Sequence, residues 1–123
     1  MAVFGVGIDI MSVARIRKAI ERYGARFLNR VFTGREREFC ARLFSPYPSY
    51  AARFAAKEAF SKALGTGLRG VISWQEIEVL DNERSRPEIK VYGRAEVLLA
   101  GRRVHLSITH LDDYTAAVVV IED

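Results

Sequence analysis

The stretch that most constrains the fold lies near the middle of the chain, between Tyr50 and Leu64. Alanine is the strongest helix former, and its small side chain lets a helix come close to its neighbours. Glycine commonly ends a helix, and Gly65 follows directly. The pattern therefore predicts a helix from about Tyr50 to Leu64 that packs closely against the core. Its alanines are Ala51, Ala52, Ala55, Ala56, Ala59 and Ala63.

Three residues spaced four apart lie in one row on this helix, namely Phe54, Glu58 and Lys62. One interpretation is a surface ion pair between Glu58 and Lys62, which contributes about 0.3 to 0.5 kcal/mol. The other is a functional site, in which the carboxylate and the ammonium group meet the free backbone amides of the glycine turn at 65–67. Phe54 is expected in the core, because aromatic side chains are commonly buried.

The amino-terminal segment from Ala2 to Ile10 predicts a short strand that reaches about Asp9, because it is apolar apart from that single carboxylate. Asp9 would serve as the cap of the next helix, but Ser12 is at least as good a cap. Asp9 is then free for other work, and a metal ligand is a common role for a carboxylate at the end of a strand.

The remaining pattern predicts alternating helices and strands in one α+β domain spanning residues 1–123, with a small, mainly antiparallel sheet and helices on one side. The last strand is apolar on both faces, so we expect it to be central or covered by another subunit. Pro46 and Pro48 are expected to separate the third helix from the alanine-rich helix. The expected helices are 13–23, 27–32, 33–43 and 94–100, and the expected strands are 77–80, 89–92, 104–109 and 115–121.

Positive charge is concentrated in one part of the chain. The net charge is +4, while residues 11–37 alone carry eight basic and two acidic side chains, or +6. A solvated helix face explains such a run, and so does a surface for an anionic partner, either a nucleic acid or an acidic protein. We expect no nucleic acid, because Tyr23, Phe27 and Phe32 are better explained as core contacts than as stacking platforms.

The sequence carries no sign of a membrane or an oxidising compartment. No apolar run reaches the ~18 residues of a membrane span, and the amino terminus lacks the features of a signal peptide. The single Cys40 has no partner for an internal disulfide. A cytoplasmic location is therefore expected.

Two spaced motifs resemble the paired signature of the 4'-phosphopantetheinyl transferases, and in particular the short bacterial holo-[acyl-carrier-protein] synthases. They are Gly7-x-Asp9-x5-Arg15 and Phe54-x-x-Lys57-Glu58-Ala59-x-x-Lys62. The resemblance continues through Gly65-Thr66-Gly67 and through the segment His105-Leu106-Ser107-Ile108-Thr109-His110. It covers nearly the whole chain.

The resemblance implies transfer of 4'-phosphopantetheine from coenzyme A to a serine of apo-acyl carrier protein, with release of adenosine 3',5'-bisphosphate. Asp9 and Glu58 would hold Mg²⁺, and Lys62 would stabilise charge on the pyrophosphate. Lys57 points to a different face and is expected to support the fold. The resemblance leaves open which group is the general base, which carrier protein is preferred and whether acylated coenzyme A is accepted.

The resemblance also implies where the substrates bind and how subunits assemble. Coenzyme A would contact Arg53, Lys62, Gly65, Thr66 and His105, with His105 preferred over His110. The carrier protein would dock on Arg15, Arg22 and Arg26, and active sites would lie between the subunits of a homotrimer. Relatives usually place Lys or Arg before the alanine-rich helix to hold the 3'-phosphate, whereas this chain has none between Arg42 and Arg53.

Two other functions use the same residues differently. A magnesium-dependent phosphohydrolase acting on a nucleotide would need the carboxylate pair but not the basic first helix. A non-catalytic scaffold or nucleic-acid-binding protein would need the arginines but neither Asp9 nor Glu58. Replacing Asp9 by Asn separates these functions, because it removes either enzyme activity and leaves a simple binder intact.

Overall fold

The computed structural model describes residues 2–123 and contains two antiparallel sheets and five α helices. The larger sheet has the strand order β1-β5-β4, and the smaller sheet is the β2-β3 hairpin. The strands are β1 (Val3–Ser12), β2 (Ile77–Asp81), β3 (Pro87–Val91), β4 (Arg103–His110) and β5 (Tyr114–Glu122). The helices are α1 (Val13–Tyr23), α2 (Ala25–Val31), α3 (Gly34–Ala41), α4 (Tyr47–Leu64) and α5 (Gly93–Leu99), with a 3-10 turn at Trp74–Glu76. The predicted α+β class is confirmed.

The central position of β5 confirms the expectation drawn from its two apolar faces. It pairs with β1 from Glu122 at one end to Tyr114 at the other, and with β4 along its opposite side. Every second residue of β5 is buried beneath the helices, namely Thr115, Ala117, Val119 and Ile121. The intervening residues are only half-buried and face the other side of the sheet.

Helix α4 lies against β1 and β5 at unusually short range, because glycine and alanine meet at the contact. A Cβ placed on Gly7 would overlap the backbone carbonyl of Ala59 and lie 2.9 Å from the amide nitrogen of Ala63. A Cβ on Gly5 would likewise overlap the carbonyl of Ala63. The alanines of α4 and the glycines of β1 are therefore two halves of one backbone-to-backbone contact.

Several predicted boundaries shift when the structure is compared with them. Helix α4 begins at Tyr47 instead of Tyr50, because Pro48 occupies the first turn, where a missing backbone N–H costs nothing. Strand β1 runs on to Ser12, so Asp9 lies within the strand and not at its end. The predicted caps are confirmed, since Ser12 Oγ accepts from the amide of Arg15 and Thr33 forms a capping box with Glu36.

A fully buried ion pair joins α3 to α4. Lys57 and Glu36 are both 0% exposed, and Lys57 Nζ donates to Glu36 Oε1 over 2.7 Å. The ammonium group also donates hydrogen bonds to the carbonyls of Val31 (2.7 Å) and Trp74 (3.1 Å). Burial lowers the pKa of Lys57, and the neighbouring Glu36 carboxylate opposes that shift. Lys57 therefore points away from Glu58 and supports the fold.

The outer face of the larger sheet is apolar and uncovered along β1. Val6, Ile8 and Ile10 are 58%, 62% and 63% exposed, although they lie in the middle of a regular strand. Val118 and Val120 of β5 continue this outer face. No helix formed by residues 2–123 is both long enough and apolar enough to cross a membrane.

Candidate functional site

The residues of the two sequence motifs that carry chemistry meet on one flank of α4. Asp9 shares the inward face of β1 with Gly5 and Gly7, which hold that strand against the helix. Lys62 Nζ lies 3.2 Å from Asp9 Oδ1 and donates to the carbonyl of Ile8 over 3.0 Å. The surface ion pair between Glu58 and Lys62 is therefore not what the structure shows, because the contact of Lys62 is with Asp9.

Glu58 completes this site from the helix side. Partial burial and the Asp9 carboxylate raise its pKa, while the cations of Lys62 and Arg69 act in the opposite direction. Two carboxylates that repel one another within one site are stabilised when a cation lies between them. Asp9, Glu58 and Lys62 are thus brought together within a single chain, whereas their catalytic and metal-binding roles stay predictions.

The donor set fits Mg²⁺ better than a transition metal. No three His, Cys, Asp or Glu residues among residues 2–123 are grouped so as to enclose a metal ion. Mg²⁺ instead commonly takes one or two carboxylates and completes its octahedral shell with water and substrate phosphates. Asp9 and Glu58, with a partly open side toward solvent, match that requirement.

The raised pKa of Glu58 gives a stability prediction for the metal-free protein. A carboxyl group whose folded-state pKa lies above its unfolded value binds more protons when folded, so its ionisation at neutral pH lowers stability. The cost disappears as the pH falls toward the unfolded-state pKa. We therefore expect Glu58→Gln to raise the Tm at pH 7 in the presence of a chelator, and the gain to shrink near pH 4.

Thermal unfolding followed by circular dichroism, with wild type and variant at equal protomer concentration, measures this difference. An unchanged or lower Tm at pH 7 would contradict the electrostatic account of Glu58. Glu88→Gln on the exposed edge of β3 is a suitable control, because that carboxylate lies outside the site.

The glycine turn after α4 differs from the expected arrangement. Gly65 ends the helix in the left-handed region, at φ 92°. The amides of Gly65, Thr66 and Gly67 all donate back to the carbonyl of Ser61, at 3.1, 3.1 and 3.2 Å. The expectation that free amides converge on the site is therefore wrong, because these amides are hydrogen-bonded to the last turn of the helix. The roles of Gly65 and Thr66 in substrate binding stay predictions.

Arg53 lies on the other flank of α4, away from the carboxylates. It is only 7% exposed, its Nη1 donates to Ser49 Oγ over 2.6 Å, and its guanidinium lies 4.7 Å from the ring centre of Phe39. Its Nε is buried and has no hydrogen-bond partner among the residues described. Arg53 lines a cleft of about 650 Å³ that reaches His110 at the end of β4.

The two histidines face opposite sides of the sheet, as their odd spacing predicts. His105 projects from the outer face, where its Nε2 lies 2.7 Å from Glu122 Oε1, and is 57% exposed. His110 instead lines the cleft beside Arg53. Within one chain, His105 therefore shares no cavity with either Arg53 or the carboxylate pair, and its contact with coenzyme A stays a prediction.

The basic segment forms an exposed face on α1 and α2. Arg15, Arg22 and Arg26 are all exposed, and Arg22 lies against the ring of Tyr23. Tyr23 is itself 51% exposed and borders a groove of about 370 Å³ with Arg26, Phe27 and Arg30. The expectation that Tyr23 is a core residue was wrong, because it is the last residue of α1 before the Gly24 turn. Phe32 is fully buried and in edge contact with Phe27, as expected.

Two contributions to this region were missed by sequence reasoning. Arg69 lies in a loop, where no helical spacing connects it to Glu58, and only its closeness to the turn at 65–67 hinted at it. The carbonyl of Ile8 holds Lys62 in place, and a backbone acceptor leaves no trace in a motif of side chains. The cation of Arg69 opposes the rise in the pKa of Glu58, and the carbonyl of Ile8 holds the ammonium group of Lys62 beside Asp9.

Comparison with known proteins agrees with this geometry. A family model described as the 4'-phosphopantetheinyl transferase superfamily matches residues 5–119. A holo-[acyl-carrier-protein] synthase of Chlamydia felis is 49% identical over 115 residues, which are 94% of this chain and 93% of that protein.

Two solved structures are similar over nearly their whole length. The holo-[acyl-carrier-protein] synthase of Neisseria meningitidis has a TM-score of 0.91 and 35% identity, covering 99% of this chain and 100% of that one. A holo-(acyl-carrier-protein) synthase of Bacillus anthracis, in complex with CoA (3',5'-ADP), has a TM-score of 0.84 and 36% identity, covering 98% and 96%. The predicted family is confirmed, and the chain belongs to the 4'-phosphopantetheinyl transferase superfamily.

Proposed function

We propose that this enzyme is a holo-[acyl-carrier-protein] synthase that uses Mg²⁺ to move 4'-phosphopantetheine from coenzyme A to a serine of apo-acyl carrier protein. Adenosine 3',5'-bisphosphate is the second product. The observation that carries the proposal is the cluster of Asp9, Glu58 and Lys62, two carboxylates and one ammonium group gathered by β1 and α4. A relative named for this activity that is 49% identical to this chain supports it.

The chemistry follows from what the residues of the cluster can do. Phosphoryl transfer asks the protein mainly to position the reactants and to stabilise charge on the phosphates. Mg²⁺ bound by Asp9 and Glu58 would neutralise the pyrophosphate and make its bridging oxygen a better leaving group. Lys62 is half exposed, so its flexible stem can bring the ammonium group to the phosphate that departs. The serine proton leaves through a group that the cluster does not identify.

The cleft beside Arg53 is the proposed place for the nucleotide end of coenzyme A. Its buried guanidinium offers an unpartnered Nε–H, and the aromatic ring of Phe39 and the apolar Leu43 line the same space. Arg42 and Arg53 also line a smaller adjoining cavity of about 290 Å³. We infer that Arg42 supplies the cation that relatives place in the segment just before α4.

The positions of these two regions support a site built between subunits. The carboxylates border β1, whereas the cleft borders β4, and α4 lies between them. A helix with its side chains is about 10 Å wide, and the two regions of one chain open on different sides of α4. We infer that a homotrimer brings the cleft of one subunit to the carboxylates of the next, so that one coenzyme A contacts both. The outer sheet face with Val6, Ile8 and Ile10 is the proposed interface.

Mixing two inactive variants tests the shared site. Asp9→Asn removes the carboxylate half and Arg53→Ala removes the cleft half. If each site takes its halves from adjacent subunits, about a quarter of the sites in randomly co-assembled variants are intact. This follows because each half is intact in half of the chains. Co-expressed variants that stay as inactive as either one alone would contradict the shared site.

Light scattering tests the interface directly. Val6→Glu places a charge in the middle of the outer sheet face, and we expect it to give a monomer at micromolar concentration with little activity. Val97→Glu is the matched control, since Val97 is 75% exposed on α5 and does not belong to this face. A wild-type protein that is monomeric would count against the trimer.

The exposed arginines of α1 and α2 are the proposed docking surface for the carrier protein. Arg15, Arg22 and Arg26 form one positive face, and acyl carrier protein is a small acidic bundle. Charge complementarity of this kind speeds encounter more than it tightens the complex, and salt screens it. A nucleic acid is disfavoured as the partner, because Phe32 is buried and Phe27 is partly buried in the core, which leaves Tyr23 as the one exposed aromatic side chain of the three.

The intact mass of apo-acyl carrier protein, measured after incubation with the enzyme, coenzyme A and Mg²⁺, tests the reaction itself. We expect a gain of one phosphopantetheine group that is lost with a chelator and with Asp9→Asn. Coenzyme A consumed without a gain in mass would instead identify a phosphohydrolase. If two different carrier proteins gain no mass and coenzyme A is not consumed, we would conclude that the protein only binds its partners.

A further inference from the structure

Lys62 contacts one of the two carboxylates that are proposed to hold the metal ion. Its ammonium group is 3.2 Å from Asp9 Oδ1, and Asp9 is the carboxylate that also raises the pKa of Glu58. The carbonyl of Ile8 accepts a second hydrogen bond from the same nitrogen over 3.0 Å. The positive charge is therefore held against Asp9 by two contacts to β1, from where it also acts on the pKa of Glu58.

This placement conflicts with the simultaneous presence of a divalent cation. A metal bound to Asp9 and Glu58 would lie within a few ångströms of the ammonium group, and two like charges that close repel strongly in a partly buried site. The Lys62 side chain is 51% exposed and carries four rotatable methylene groups. It is therefore free to swing toward solvent, whereas Asp9, at 19% exposure on a paired strand, stays in place.

We propose that Lys62 is a tethered cation that neutralises the Asp9 and Glu58 pair in the metal-free enzyme and is displaced when the divalent cation binds. The inference rests on the proposed metal-dependent function of this site. It gives Lys62 two successive positions, first against Asp9 and then on the phosphate of an incoming substrate. Metal binding and the contact between Lys62 and Asp9 then exclude one another. The contact weakens the affinity for the metal by the same factor by which the bound metal weakens the contact.

The coupling predicts that removing the Lys62 charge tightens metal binding before any substrate is present. Lys62→Met keeps the length and apolar stem of the side chain but not its charge. We expect it to bind Mg²⁺, or Mn²⁺ followed by electron paramagnetic resonance, about tenfold more tightly than wild type, in the usual range of such couplings. Calorimetry of the enzyme alone, without coenzyme A or carrier protein, measures the affinity.

Arg69→Met is the matched control, because Arg69 also acts on Glu58 through its charge but makes no contact with Asp9. If Lys62 occupies the cation position, Lys62→Met tightens binding well beyond Arg69→Met. Equal gains in affinity in the two variants would mean that any nearby positive charge weakens metal binding to the same extent, and would overturn the proposal. Unchanged or weaker binding in Lys62→Met, or no metal binding by any of the three proteins, would overturn it as well.

A second readout separates displacement from a loss of fold. In chelator, Lys62→Met should have a lower Tm than wild type, because the carboxylates lose their cation, and saturating Mg²⁺ should raise its Tm by more than it raises that of wild type. Equal shifts would contradict the proposal. The mass assay on wild type is independent of these measurements, so failure here with intact transfer activity would refute only the role of Lys62.

Discussion

Gly7→Ala is expected to destabilise the protein by about 3 kcal/mol, at the upper end of the usual cost of overpacking. The added methyl group would overlap the carbonyl of Ala59 and lie 2.8 Å from its carbonyl carbon. These obstacles are backbone atoms of a helix, which cannot turn aside as a flexible side chain can. Strand β1 must therefore move away from α4, and the inward contact of Gly5 would open with it.

The same substitution should reduce activity far beyond what the loss of stability explains. Asp9 lies on β1 and Glu58 on α4, so separating the two elements separates the carboxylates. A misplacement of about 1 Å in such a site costs about 100-fold in rate. Urea denaturation and the mass assay, run on the folded fraction at low temperature, measure the two effects separately.

Gly34→Ala is the control for the glycine argument. A Cβ at Gly34 would approach nothing closer than 3.8 Å, and the residue lies in the first turn of α3. We expect that substitution to leave stability and activity unchanged or slightly improved, since alanine favours helix. A Gly7→Ala variant as stable as Gly34→Ala would refute the close contact between β1 and α4.

Lys57→Met is expected to destabilise the protein by about 3 to 5 kcal/mol, because it leaves the Glu36 carboxylate buried without its counter-charge. The loss also removes one hydrogen-bond donor from each of the carbonyls of Val31 and Trp74, which accept from the same ammonium group. Urea denaturation at a fixed protomer concentration measures the change, since subunit association would otherwise alter the apparent stability.

A double variant distinguishes an unpaired charge from lost packing. Glu36→Gln together with Lys57→Met removes both charges, so we expect it to recover part of the stability lost in Lys57→Met alone. Recovery should be incomplete, because Glu36 also accepts from the amides of Thr33 and Val79, and an amide side chain cannot accept from both at once. A double variant less stable than Lys57→Met would contradict the ion-pair account. Lys18→Met on the exposed face of α1 should change little.

Local signals in the sequence predicted most of the elements because each has a local cause. Ser12 and Thr33 cap the helices they precede, and Gly65 ends α4 in a left-handed conformation. The row formed by Glu58 and Lys62 is a consequence of helical spacing alone. The two apolar faces of β5 likewise predicted that this strand is central in its sheet.

What the sequence could not provide depends on contacts between distant segments. Nothing near Glu36 announces that its carboxylate is buried against Lys57, twenty-one positions away. The contact of Lys62 with Asp9 replaces the expected one with Glu58, because β1 lies under that flank of the helix. The separation of His105 from Arg53 follows from strand alternation combined with the placement of α4, and only the second of these needs the structure.

The pairing of β1 with β5 has a consequence for the order in which the chain acquires its function. Val3 lies opposite Glu122, and Asp9 lies opposite Ala117, so β1 is held by β5, which is translated long after it. Such distant pairing is slow to form and cannot begin until β5 has been synthesised. A nascent chain that already contains Asp9, Glu58 and Lys62 but not β5 therefore lacks the strand that fixes Asp9, and we expect it to be inactive.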